Sequence, residues 1–271
     1  FQLLPPPQHP PLDDSSGSSS SRSTYWCVDV GAWDGKHLSN TYSLLVDTQD
    51  SNQPNEEEST INLELPPPLH EESSSTPTRQ QNWKGILIEA HPERFVELEA
   101  LHVPFDNICV KEMISCTQSD RLLSSVLSRY TALPTNFDLL IIDVDGIDYW
   151  ILNDIFTSSG CRYRPRVICI EFNPTMPDSL IYIPPRNDAL RHGCSLSALV
   201  ELCSTHNYSL VETTTFNAFF VPDKLYTQHL QFCVPDTSIE ALHQTSMGTE
   251  LYQLYDGTLK LSGCRTLLWH R

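Results

Sequence analysis

The chain has 271 residues, with 34 Asp or Glu against 17 Lys or Arg, so its formal net charge at pH 7 is -17. A charge this negative repels phosphate backbones, which disfavours nucleic acid as a substrate. The longest apolar stretch, around Leu139–Ile142, is far shorter than the ~18 residues of a membrane span.

Two segments have the composition of chain outside a folded core. Residues 1–24 contain five Pro and seven Ser, which predicts a disordered tail. Residues 47–81 contain eight acids, five Pro and one basic residue, which predicts a flexible acidic insertion at the surface. A docked acidic flap is the alternative for this insertion.

The nine cysteines form no CxxC pair and no Cys/His spacing typical of a zinc site. Several of them lie in apolar runs, where a thiol behaves as a small hydrophobe. This usage leans toward a reducing, cytoplasmic compartment, although the sequence leaves both the localisation and the oligomeric state open.

The remaining chain alternates strand-like and helix-like segments. Predicted strands cover Tyr25–Val30, Gly85–Glu89, Asn107–Lys111, Phe137–Asp143 and Arg166–Phe172. Predicted helices cover Leu38–Val46, a segment opening at Pro92, Asp120–Tyr130, Asp148–Phe156 and Leu196–His206. Tyr208–Glu212 and Phe216–Val221 predict an antiparallel hairpin.

This alternation predicts an α/β domain over residues 25–225, built on a doubly wound, mostly parallel sheet that ends in the C-terminal antiparallel hairpin. Residues 226–271 have no pattern that places them and are left as a C-terminal extension. Ligands of such sheets bind beyond the carboxyl ends of the strands, at the point where the strand order reverses. Residues that directly follow the strands are therefore the candidates for function.

The first predicted strand leads into a glycine-containing loop, Asp29-Val-Gly31-Ala-Trp-Asp34-Gly35. Gly31 and Gly35 allow sharp backbone turns and a close approach to a ligand. The loop lacks the third glycine of a dinucleotide fingerprint, and Asp29 and Asp34 would repel a pyrophosphate and attract a cation. A tight β–α turn capped by Asp34 is the alternative.

The second predicted strand ends at Glu89, where a carboxylate can accept both hydroxyl hydrogens of a ribose. Asp29 and Glu89 are 60 positions apart, and leaving out the 35 residues of 47–81 reduces this to 25, near the roughly 20 that are usual in such folds. A solvated strand end is the alternative. After the third strand, the stretch 113–115 stands where an adenine ring would lie, although its methionine is more typical of a core.

Three carboxylates, Asp143, Asp145 and Asp148, follow the fourth predicted strand, and the fifth strand delivers Glu171. Clustered carboxylates either hold a cation or raise one another's pKa until one becomes a base. Asp143, Asp145 and Glu171 are candidate ligands for Mg²⁺. Asp148 is either a base or the cap of the following helix. His37, beside the glycine loop, is a reserve base or a solvent-facing residue.

Together these motifs resemble the S-adenosylmethionine-dependent methyltransferases of the Rossmann-like class, and the FkbM-like families most of all. The resemblance is carried by CVDVGAWDGKHLSNTYSLL (27–45), WKGILIEAHPERFVEL (83–98), FDLLIIDVDGIDYWIL (137–152), RPRVICIEFNP (164–174) and NAFFV (217–221). The cofactor-binding residues that it implies are Asp29, Gly31, Asp34, Gly35, Ser39, Asn40, Glu89, Ile114, Ser115 and Asp143. The FkbM pattern usually has Glu at the position of Asp145.

The resemblance implies methyl transfer from S-adenosyl-L-methionine to an oxygen, with nitrogen less favoured, of a small molecule, sugar or peptide. Asp145, Asp148 or His37 would remove the acceptor's proton, with or without Mg²⁺. The alternative is a non-catalytic, methyltransferase-like binding or scaffold protein that recruits a partner through residues 47–81. A nucleotide-dependent oxidoreductase is disfavoured by the missing third glycine.

Overall fold

The computed structural model describes residues 24–37, 39–46, 82–158, 163–243 and 249–263. The predicted tail, apart from Thr24, and the predicted insertion at 47–81 lie outside these residues. The strands are β1 (Tyr25–Val30), β2 (Trp83–Glu89), β3 (Ile108–Lys111), β4 (Leu139–Ile142), β5 (Val167–Glu171), β6 (Tyr208–Thr213), β7 (Asn217–Pro222), β8 (Thr249–Gln253) and β9 (Leu259–Gly263). The helices are α1 (Tyr42–Leu45), α2 (Pro92–His102), α3 (Leu123–Leu127), α4 (Asp148–Thr157), α5 (Leu196–Thr205), α6 (Asp223–Leu225) and α7 (Ile239–Leu242). Two 3₁₀ turns, Val103–Phe105 and Ser119–Arg121, and one π-helical turn, Tyr226–Leu230, complete the elements.

Seven strands form one sheet in the order β3-β2-β1-β4-β5-β7-β6. The first five are parallel to one another, and β7 is antiparallel to both β5 and β6. The prediction of a doubly wound, mostly parallel sheet with a C-terminal antiparallel hairpin is confirmed. The strand order reverses between β1 and β4, where Val30 lies opposite Ile142. The ligand crevice of the fold is therefore expected at this position.

Both faces of the sheet are covered by apolar side chains, because successive residues of a strand point to opposite faces. One face carries the larger core cluster, which includes Val28 and Leu140 and packs against residues of α3, α4 and α5. The other face carries a smaller cluster around Cys27, with Leu45 of α1 and Leu98 of α2. Asp29 lies two residues after Cys27 on β1, so its side chain points to the same face as Cys27, the face covered by α1 and α2.

Two helices are shorter than their apolar spacing predicts. The segment predicted at Leu38–Val46 is helical over Tyr42–Leu45, and residue 38 is outside the described part of the chain. The segment predicted at Asp120–Tyr130 is interrupted at Leu122, whose backbone is extended. The α4 residue Asp154 accepts hydrogen bonds from the Ser124 N–H and hydroxyl, at 3.0 and 2.8 Å, so a distant carboxylate helps to fix the start of α3.

Part of the extension predicted as unplaced packs on the sheet domain. Ile239 and Leu242 of α7 contact the larger core cluster, and the Thr213 hydroxyl donates to the Leu242 carbonyl at 2.7 Å. The His243 Nδ1 lies 2.7 Å from an oxygen of Asp178. Strands β8 and β9 pair with each other as a separate hairpin. Within the described ranges, no helix combines the length and apolarity needed to cross a membrane.

Candidate functional site

The loop after β1 lies against the end of β4 at the reversal of strand order. The Asp143 N–H donates to the Val30 carbonyl at 3.0 Å, which continues the β1–β4 pairing beyond the strands. Gly31 has φ +89, and a Cβ built there would lie 1.8 Å from the Asp143 carbonyl oxygen. Glycine is therefore required at this position by both the backbone conformation and the close approach.

Asp34 uses its carboxylate to hold the glycine loop. One oxygen accepts the N–H groups of Lys36 and His37, at 2.9 and 2.8 Å, and the other lies 2.5 Å from the His37 Nδ1. Partial burial raises the pKa of Asp34, but the donated hydrogen bonds outweigh it and the net shift is downward. Gly35, at φ +74, packs against His102, so the loop is fixed on both sides. Asp34 therefore caps the β–α turn, as the alternative interpretation of this loop predicts.

Glu89 joins the end of β2 to the same loop. Its two oxygens accept the N–H groups of Trp33 and His91, at 2.8 and 2.6 Å, and the residue is 6% exposed. Each carboxylate oxygen can accept more than one hydrogen bond, so Glu89 keeps acceptor capacity for a ligand hydroxyl.

Asp29 faces α1 and is paired with a residue that the sequence analysis did not single out. The Thr41 hydroxyl donates to Asp29 at 2.7 Å, and both residues are buried. Burial raises the pKa of Asp29 to about 6, with Thr41 opposing the rise and Glu89 adding to it. The sequence signal that could have identified Thr41 is its position as a polar residue at the start of an apolar helical segment. Ser39 accepts the N–H groups of Thr41 and Tyr42.

The remaining predicted cofactor residues differ in how accessible they are. Asn40 is exposed, whereas Ile114 and Ser115 are buried. The Ser115 hydroxyl donates to Asp188 at 2.7 Å and accepts two N–H groups of its own loop. Met113 is 45% exposed, so the expectation that it belongs to the core is wrong. The surface offered after β3 is therefore that of Met113 rather than the Ser115 side chain.

Carboxylates from the end of β5 and from the loop between β4 and α4 converge near the reversal of strand order. Asp143, Asp145 and Glu171 each offer an oxygen atom, and these atoms lie within 4.8 Å of one another. Asp145 is exposed and has φ +58, whereas Asp148 is buried and accepts the N–H groups of Val144 and Gly146, both at 2.9 Å. Asp148 thus stabilises the loop that presents the other carboxylates.

The proximity of these carboxylates makes their ionisation costly. Burial, followed by the charges of Asp148, Asp145 and Asp29, raises the pKa of Asp143 to about 7. Burial and the neighbouring carboxylates also raise the pKa of Glu171, and burial raises that of Asp148. Such a group gains from a cation, which would compensate the charges that the protein leaves close together.

His37, predicted as either a reserve base or a solvent-facing residue, is exposed and lines a cleft beside the glycine loop. A cleft of about 460 Å³ lies between the glycine loop and α2, and the Arg94 guanidinium stacks 4.7 Å from the ring centroid of Trp33 beside it. The cleft is lined by Trp33, Asp34, Lys36, His37, Arg94, Glu97 and Leu101. Its lining includes neither Asp143 nor Glu171, so the geometry does not group His37 with the carboxylate cluster.

The strand order defines a doubly wound, Rossmann-like α/β domain, and three carboxylates converge near its strand reversal. A scan against protein-family models gives no match, and a search of curated proteins also gives none. One similar solved structure is that of a TehB-like SAM-dependent methyltransferase from Corynebacterium glutamicum, with a TM-score of 0.35 and 12% identity over 73% of this chain and 80% of that chain. A likeness at this level identifies neither a family nor an activity, and the resemblance to the FkbM-like families stays a prediction.

Proposed function

We propose that this protein binds S-adenosyl-L-methionine at the strand reversal and transfers its methyl group to an oxygen of an acceptor. The observation that carries the proposal is the convergence of Asp143, Asp145 and Glu171 beside the Gly31 loop. This cofactor carries a sulfonium and an ammonium against one carboxylate, so an acidic crevice suits its net positive charge. A small molecule, sugar or peptide is the proposed acceptor, with nitrogen as the less favoured acceptor atom.

Candidate partners for each part of the cofactor lie along the strand reversal. The backbone at Gly31 would take the amino-acid part, the free acceptor capacity of Glu89 would take the ribose hydroxyls, and the surface after β3 would flank the adenine. Asp143 would face the charged methionine end. When bound, the cofactor supplies an activated methyl group, so the chain's own tasks are positioning and removal of one proton.

Asp145 is the favoured base for that proton. It is exposed and belongs to the converging cluster, whereas Asp148 is buried and already accepts two backbone N–H groups. His37 lies in the cleft beside α2. A base must come within hydrogen-bond reach of the acceptor, and among the three candidates Asp145 combines accessibility with proximity to Asp143.

Mg²⁺ remains a separate prediction for the same cluster. Asp143, Asp145 and Glu171 offer the hard oxygen ligands that this ion prefers, and a bound ion would orient and acidify an acceptor hydroxyl. Activity that persists in excess chelator would exclude this role, whereas loss on chelation with recovery on added Mg²⁺ would support it.

Calorimetric titration of the purified protein with S-adenosylmethionine tests the proposal. Wild type should give saturable heat at pH 7, and Asp143→Asn should weaken binding several-hundredfold, because it removes a close opposite charge worth about 4 kcal/mol at an effective dielectric constant of ~20 without changing side-chain size. Asp256→Asn is the matched control, since Asp256 lies in the β8–β9 hairpin and accepts the N–H of Thr258, two residues away. No detectable binding by wild type would overturn the proposal.

Cofactor binding without methyl transfer to any tested acceptor would favour the alternative of a binding or scaffold protein. That alternative makes residues 47–81 the functional segment. A partner that is captured by the full chain, and lost when 47–81 is deleted, would support it.

A further inference from the structure

The connection between β5 and α5 is a long segment that touches two parts of the crevice. Residues 172–195 contain no helix or strand, and connections of this length are usually either functional or disordered linkers. Near its end, the backbone of Leu190 lies so close to Gly146 that a Cβ there would be 2.4 Å from the Leu190 carbonyl oxygen. Asn173 donates to the His192 carbonyl at 3.1 Å. One part of the connection therefore packs on the loop that carries the acidic cluster.

Another part of the same connection reaches the loop that follows β3. The Asp188 carboxylate accepts the Ser115 hydroxyl at 2.7 Å, the Cys116 N–H at 2.7 Å and the Thr117 hydroxyl at 2.5 Å. The Arg186 Nε donates to the Cys116 carbonyl at 2.5 Å. Asp188 and Arg186 thus satisfy both backbone polar groups of Cys116 from 72 and 70 positions away in the sequence.

The connection is held in this place by α4. The Trp150 Nε1 donates to the Pro184 carbonyl at 2.9 Å, and the Arg186 guanidinium stacks 5.2 Å from the ring centroid of Trp150. Asp188 also stays charged, because the three donated hydrogen bonds outweigh its partial burial and lower its pKa to about 2. The contact with the loop after β3 therefore persists throughout the physiological pH range.

We propose that Asp188 is a positioning residue for the adenosine end of the cofactor site, because it fixes the loop that follows β3 in the conformation that flanks the adenine. The inference rests on the proposed function. The loop is next to the ribose-binding end of β2, since the Glu112 N–H donates to the Glu89 carbonyl at 3.2 Å. Without Asp188, three donors of this loop lose their acceptor and the loop becomes less ordered. Cofactor binding would then have to order the loop, and the cost of doing so would lower the binding free energy.

The test compares Asp188→Ala, Asp188→Asn and the control Asp256→Ala, in which a remote carboxylate that accepts a local N–H is removed. Calorimetry with S-adenosylmethionine and with adenosine should show about tenfold weaker binding of both ligands to Asp188→Ala. Asp188→Asn, which keeps an acceptor oxygen, should recover part of the loss. The control should bind as wild type does. Hydrogen exchange should show lost protection at the Cys116 amide in Asp188→Ala.

Thermal unfolding and the conservative variant separate positioning from a general loss of structure. Asp188→Ala should keep a cooperative transition with a midpoint close to that of wild type while its affinity for adenosine falls about tenfold, and Asp188→Asn should recover part of that affinity. Wild-type affinity in Asp188→Ala, unchanged Cys116 exchange, or no recovery in Asp188→Asn would each overturn the inference while leaving the proposed function intact. Failure of wild type to bind S-adenosylmethionine would instead overturn the proposed function, and this inference with it.

Discussion

Asp143 makes the proposed binding of a cationic cofactor dependent on pH in a way that can be calculated. Its pKa is raised to about 7, first by burial and then by the charges of Asp148, Asp145 and Asp29. The ionised form attracts a cation and the protonated form does not, so binding must release the proton from Asp143 at low pH. The apparent Kd therefore rises as the pH falls below 7.

The expected change is large enough to measure. For a pKa of about 7, the fraction of Asp143 that is ionised rises from about 3% at pH 5.5 to about 50% at pH 7.0, so the apparent Kd falls about 16-fold. This window also keeps the α-amino group of the cofactor protonated, since such groups titrate at about 7.7–8.0. Asp143→Asn has no proton to release at this position and should lose most of the dependence.

Calorimetry at both pH values gives the Kd and, with two buffers of different ionisation enthalpy, the number of protons released. Wild type should release close to one proton at pH 5.5 that Asp143→Asn does not release. The slope left in Asp143→Asn reports other groups, such as Asp29, whose pKa is about 6. Equal slopes in wild type and Asp143→Asn would refute the assignment of the cofactor's positive charge to Asp143.

Two further predictions concern stability. Gly31→Ala should lower the free energy of unfolding in urea by roughly 2 kcal/mol or more beyond the loss in Gly257→Ala, which is the order of magnitude of a severe steric clash. Both glycines have positive φ, but a Cβ at Gly31 would lie 1.8 Å from the Asp143 carbonyl oxygen, whereas a Cβ at Gly257 would meet no such clash. Similar losses in the two variants would contradict this reasoning. The raised pKa of Glu171 means that its protonated form stabilises the fold below its ordinary pKa of about 4.3 and that this stability is lost as the pH rises. The thermal midpoint, measured with chelator present, should therefore fall less steeply with rising pH in Glu171→Gln than in wild type. The control is Glu201→Gln, a variant of an exposed residue of α5, which should behave as wild type does. Identical pH profiles in all three proteins would show that Glu171 ionises freely.

Much of the sheet could be predicted because its signals are local. Alternating strand and helix segments and short apolar runs such as Leu139–Ile142 are visible in the sequence, and five parallel strands with an antiparallel hairpin follow from them. The helix ends were less predictable. The start of α3 depends on Asp154 of α4, which binds Ser124 from 30 positions away, and no local pattern reports such a partner.

The order of strands and acids along the chain is enough to predict which carboxylates gather at one edge of the sheet. Parallel strands place their carboxyl ends together, so an acid just after β4 and an acid that ends β5 must become neighbours, as Asp143 and Glu171 do. Which groups each carboxylate contacts depends on how distant segments pack together. Asp148 and Asp188 bind backbone N–H groups because the paths of their loops bring those donors within reach. Hydrogen-bond partners of this kind depend on loop geometry and burial, which residue type and spacing do not specify.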